Sequence, residues 1–128
     1  MKVGTLMVIN AVVALVFGAA FVLVPGLLVP LYGVEATPGL KYTGQLFGAA
    51  LIGFAVLTWA ARKAGDSEAR RAIVLAFLVS FAVGLVTSLV GQLGGVVNAL
   101  GWSTVIIYLF FTLGYGYFQF ARRSEQQP

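Results

Sequence analysis

Arg62-Lys63-Ala64-Gly65-Asp66-Ser67-Glu68-Ala69-Arg70-Arg71 is the one long hydrophilic stretch of the chain, and its reading decides the fold. It holds half of the eight Lys and Arg residues and two of the four carboxylates. On either side the sequence is apolar enough to sit in lipid. Of the 128 residues, 60% are hydrophobic and 9% are charged, and the mean hydropathy is +0.99. An ordinary soluble domain is about 25% charged. A water-soluble chain of this size has too little interior to hide so much apolar surface. A bilayer is the solvent that fits, and the basic stretch divides the chain into two hydrophobic halves.

Upstream of the stretch, Met1-Lys2 precedes an uncharged run from Val3 to Val24. As a helix it is about 33 Å long, enough to cross a hydrocarbon core of about 30 Å. Gly18-Ala19-Ala20 has the small residues of a leader cleavage site, but the apolar run exceeds the usual ~7–15 residues of a signal peptide, so it reads as a span. Pro25-Gly26 ends it, because proline lacks an amide donor and clashes with the preceding turn. Leu27 to Gly33 is apolar, too short to span, and carries Tyr32 near its end. It lies in the interface or folds over the helix ends. Thr37-Pro38 is a helix start, with Thr as cap and Pro in the first position. The second span runs from about Tyr42 to Ala61, with Trp59 at its far end, where aromatic belts sit.

Downstream, Asp66 or Ser67 caps the next helix and Glu68 suits its dipole. The third span runs from Ala72 to about Leu93 and is closed by Gly94-Gly95. The fourth runs from about Trp102 to Phe120, is stopped by Arg122-Arg123, and leaves Ser124 to Pro128 as a frayed tail. The expectation is an all-α integral membrane four-helix bundle, a single domain over residues 1–128. Its spans lie at about 3–24, 42–61, 72–93 and 102–120, and its loop at 62–71.

Four spans place both termini on one side. Lys2, the loop cations, Arg122 and Arg123 then share that side and leave Lys41 alone on the other. The positive-inside rule puts the termini and the loop in the cytoplasm, with the protein in the inner (plasma) membrane. It also explains the net charge of +4 without a nucleic-acid partner.

Small and polar residues decide which faces of membrane helices meet. Gly44 and Gly48 in the second span, and Ser80, Gly84 and Ser88 in the third, recur at four-residue spacing as close-packing seams, within the bundle or between copies of it. In the fourth span Thr104, Tyr108, Thr112, Tyr115 and Gln119 fall on one helical face, a polar stripe that should face protein or a cavity. Asn10 lies at a depth similar to Tyr115, close enough for a shared hydrogen bond. Gln45, Gln92 and Asn98 lie near the opposite surface. If their faces converge, they form an outward-opening polar pocket with Thr104 and Tyr108 as its floor. The competing reading is a set of plain interhelical hydrogen bonds.

The missing chemistry narrows function. No Cys or His is present to ligate a metal or haem, so no cofactor is implied. No ionisable residue lies inside a span, as proton relays and ion-coupled transporters require. No base stands beside a Ser nucleophile. A non-enzymatic protein is expected.

Pro30-Leu31-Tyr32-Gly33, Leu46-Phe47-Gly48-Ala49-Ala50, Arg70-Arg71 and Val97-Asn98-Ala99-Leu100-Gly101-Trp102 together resemble a group of small bacterial four-helix membrane proteins known as a domain of unknown function. The resemblance covers nearly the whole chain and implies the topology but no activity. Three functions stay open. One is binding of a lipid or small apolar ligand, the second is an accessory subunit of a larger membrane complex, and the third is a homo-oligomeric channel or facilitator for a neutral solute.

Overall fold

The structure is a computed structural model that describes residues 1–120. They form five α-helices: α1 Val3–Leu23, α2 Pro25–Leu31, α3 Pro38–Ala61, α4 Glu68–Leu93 and α5 Gly101–Phe120, with no strand among the described residues. The expected stop at Arg122-Arg123 and the frayed tail lie outside them. All helices except α2 are long and apolar enough to cross a membrane.

Local chemistry accounts for the helix ends. The Val24 amide donates to the Ala20 carbonyl at 2.9 Å as the last link of α1. Pro25 then opens α2 at a position where a missing amide costs nothing. Gly33, at φ 78°, makes the left-handed turn out of α2. Thr37 Oγ1 accepts from the Leu40 amide at 3.2 Å and Pro38 takes the first position, so α3 starts at Pro38 and carries Lys41 within its first turns. At α4 the cap is Ser67, whose Oγ accepts from the Arg70 amide at 3.1 Å. Asp66 instead pairs with Arg71, Nε to Oδ1 at 3.0 Å. Glu68, Arg70 and Arg71 therefore belong to α4 rather than to the loop.

α1 packs along α3 and α4 along α5, and the two pairs meet through α1 and α5. Glycine sets the first seam. A Cβ on Gly18 would sit 2.9 Å from the Gly48 carbonyl oxygen, and one on Gly48 would sit 2.7 Å from the Gly18 carbonyl oxygen. The Phe21 ring lies over Gly44, 3.2 Å from where its Cβ would be. In the second pair the Tyr108 ring occupies the space of a Cβ on Gly84. Ser88 Oγ donates to the Leu85 carbonyl of its own helix at 3.1 Å, so it ties no second helix.

Val3, Leu6, Met7, Ala61, Val74, Phe77, Phe111, Tyr115 and Phe118 form one buried cluster. It gathers the start of α1, the end of α3, the start of α4 and the end of α5 at the end of the molecule that carries the basic loop. The outer faces are apolar: Val56, Val83, Val90, Ile106 and Leu113 are each more than 60% exposed. In water such faces would aggregate; against lipid tails they are solvated.

Candidate ligand cavity between the helix pairs

α3 and α4 meet at the edge-to-face pair of Phe54 and Phe77, with ring centroids 5.6 Å apart, and their backbones run less closely together than those of the two packed pairs. The space left between the two helix pairs is a cavity of about 310 Å³. α1 contributes Asn10, Val13, Ala14, Phe17 and Phe21. α3 contributes Phe47, Leu51 and Phe54, and α4 contributes Phe77, Ser80 and Phe81. Thr104, Ile107, Tyr108 and Phe111 of α5 close the far wall, and Tyr32 and Val97 cover the end away from the basic loop. The α1–α5 side is shut by buried Asn10, Phe111 and Tyr115. On the α3–α4 side Phe47 is 42% exposed and Phe54 38%, so the cavity opens there, between apolar helix faces.

One wall is a ladder of stacked rings. Phe77 lies on Tyr115 at 5.4 Å and Phe81 on Phe111 at 4.8 Å, both with planes 19° apart. At its foot Asn10 Nδ2 donates to the Tyr115 hydroxyl at 2.8 Å across the buried α1–α5 contact. The i, i+4 spacing of Phe17 with Phe21, and of Phe77 with Phe81, turns each pair to one helix face. These phenylalanines were not singled out in the sequence. In a membrane helix, inward and outward Phe share the same hydropathy, and only their spacing marks them.

The five residues of the expected outward pocket are spread over three places. Thr104 and Tyr108 line the cavity. Gln45 is exposed beside a separate open groove near Pro25 and Lys41, and its Nε2 donates to the Val22 carbonyl at 3.2 Å. That carbonyl is one that the end of α1 leaves unpaired. Gln92 Nε2 donates to the Asn98 carbonyl at 3.1 Å. Asn98 latches the two helix pairs: its Nδ2 donates to Leu31 O at 2.9 Å and its amide to Tyr32 O at 2.8 Å. Asn98 thereby fixes the Tyr32 segment over the cavity end. On the polar stripe of α5, Tyr115 is held by Asn10, and Thr112 Oγ1 donates to the Tyr108 carbonyl of its own helix at 2.6 Å. Gln119 is half-buried, beyond the cavity and toward the basic-loop end. Ser80 lines the cavity at its open side.

The cavity can hold an apolar body against aromatic faces, with hydroxyls at Ser80, Thr104 and Tyr108 to orient one polar group. Its volume is at the lower end of the range for small-molecule sites, about 300–1,000 Å³. Comparison of the chain with protein-family models, curated proteins and solved structures returns no match.

Proposed function

We propose that the chain is a non-enzymatic inner-membrane protein that holds a lipid or small apolar ligand between two transmembrane helix pairs. The observation that carries this reading is the aromatic cavity and its opening between α3 and α4. A ligand would enter from the bilayer, its apolar part against the phenylalanine ladder and its polar group toward Tyr108 and Thr104. Rings on rings contribute beyond plain area burial, by about 0.5–1.5 kcal/mol per pair. That favours a ligand with unsaturated or ring character. Ser80→Phe places a ring in the cavity from its open side. Solvent extraction of the purified protein should then yield at least about tenfold less bound lipophile than from the wild type, at equal helicity. Equal yield from both would remove the cavity as the site.

In this reading both termini and the basic loop are cytoplasmic, because Lys2, Arg62, Lys63, Arg70 and Arg71 lie at one end of the helices and Lys41 at the other. The chain has no Cys, so single cysteines report topology cleanly. In intact cells Glu35→Cys should react with a membrane-impermeant maleimide and Asp66→Cys should react only after lysis. The reverse pattern would invert the assignment. The channel reading is less favoured. A solute path needs free polar groups along the α5 stripe, and Thr112 and Tyr115 are already bonded.

A further inference from the structure

Arg70 stands apart from the other cations of the basic loop. It lies in the first turn of α4 and is 0% exposed. Its Nε, Nη1 and Nη2 have no hydrogen-bond partner among the described residues. Asp66 is near enough to attract it but gives it no hydrogen bond. Asp66 Oδ1 accepts from Arg71 Nε at 3.0 Å, and the Arg62 guanidinium lies 3.8 Å over the Trp59 ring. Arg70 shares a helix face with Val74 and Phe77, four and seven residues on, and both are buried. The guanidinium is therefore turned toward the interior of the loop end and away from water.

A guanidinium keeps its proton in a protein, so the charge cannot be escaped by titration. An enclosed charge with no hydrogen-bond partner destabilises the fold that holds it. Its place in the first turn adds to that cost, because the helix dipole is positive there. The same features favour an anion: the fork matches a phosphate in bidentate fashion, and Ser67 takes the amides of Arg70 and Arg71 but leaves those of Glu68 and Ala69 at the positive end of the helix.

We propose that Arg70, with the N-terminal turn of α4, binds a phosphate group at the basic-loop end of the molecule. If the chain spans a bilayer as proposed above, that end lies at the depth of lipid headgroups, and an anionic phospholipid is the natural source. The site is separate from the aromatic cavity and takes a different chemistry.

The test uses the full chain in maltoside micelles stripped of phospholipid, with thermal unfolding followed by circular dichroism. The additives are short-chain phosphatidylglycerol, diacylglycerol with the same chains but no phosphate, and inorganic phosphate. Phosphatidylglycerol should raise Tm by about 5 °C at saturation, and diacylglycerol should leave it unchanged. A rise with phosphatidylglycerol alone assigns a lipid headgroup; an equal rise with inorganic phosphate assigns the free anion to the same site. Arg70→Met should abolish the response while leaving the lipid-free Tm unchanged or higher, because an uncompensated buried charge is gone. Arg70→Lys keeps the charge without the fork and should weaken the apparent affinity about tenfold. Equal stabilisation by both lipids, or a full response in Arg70→Met, would overturn the site. Should Arg70→Met fail to fold, an undiminished response in Arg70→Lys would do so. No response in the wild type would also overturn it, and a fall in Tm on Glu125→Gln would then give Arg70 a carboxylate of the chain itself.

Discussion

Gly48→Val should destabilise the protein by about 3 kcal/mol, the upper end of the usual cost of overpacking. The reason is geometric. The atom that a Cβ at Gly48 would meet is the Gly18 carbonyl oxygen at 2.7 Å, and the Phe21 Cβ stands at 2.8 Å. Neither is the far end of a flexible side chain, so α1 and α3 must move apart along their seam. Contacts between membrane helices rest on close backbone approach more than on apolar burial, so nothing compensates for the separation. Gly53, on the same helix, has open space within 4 Å of its Cβ position. Gly53→Val should change stability by less than about 0.5 kcal/mol. Titration of both variants with SDS in mixed micelles, followed by helicity, compares them directly. Equal losses at the two positions would mean that α1 and α3 do not pack as described.

Tyr115→Ala should cost about 3 kcal/mol or more, as removal of a large ring from a core does. Tyr115 is 0% exposed, stacks on Phe77 and Phe81 of α4 and on Phe111 of its own helix, and accepts the Asn10 hydrogen bond from α1, so its ring ties α4 to α5 and its hydroxyl ties the two helix pairs together. Tyr115→Phe keeps the ring and removes the hydroxyl. It should cost about 0.6 kcal/mol, the average measured for hydrogen bonds between membrane helices. The same titration separates the two variants. A loss in Tyr115→Phe as large as in Tyr115→Ala would make the hydrogen bond to α1, and not the ring stack within the α4–α5 pair, the main contribution of this side chain.

Much of the helical layout was legible in the sequence because it rests on strong local signals. Pro25, Thr37-Pro38 and Ser67 end or begin helices through their own backbone and side-chain chemistry. The Gly44/Gly48 spacing marked the α3 seam, and the shared depth of Asn10 and Tyr115 pointed to their hydrogen bond. The glycine partner on α1, Gly18, was legible only as part of a leader-like run, because a seam has two sides and one sequence does not pair them. The cavity was read less well. Polar residues in the sequence point to a ligand site, but Gln45, Gln92 and Asn98 are bonded to backbone carbonyls at helix ends and loops. Inside a lipid-like solvent the informative residues were the phenylalanines, whose inward direction follows from tertiary packing and leaves no trace in hydropathy. Arg70 was hidden for a related reason. In a run of four cations it looks solvated, and only the start of α4 at Glu68 turns it inward.

The measurement that bears most directly on the ligand-holding function is native mass spectrometry of the wild-type chain released gently from its own membrane. A discrete lipophilic mass is expected on each wild-type chain and should be absent from the Ser80→Phe variant prepared in the same way. A bare wild-type chain, or an identical adduct on both proteins, would contradict it.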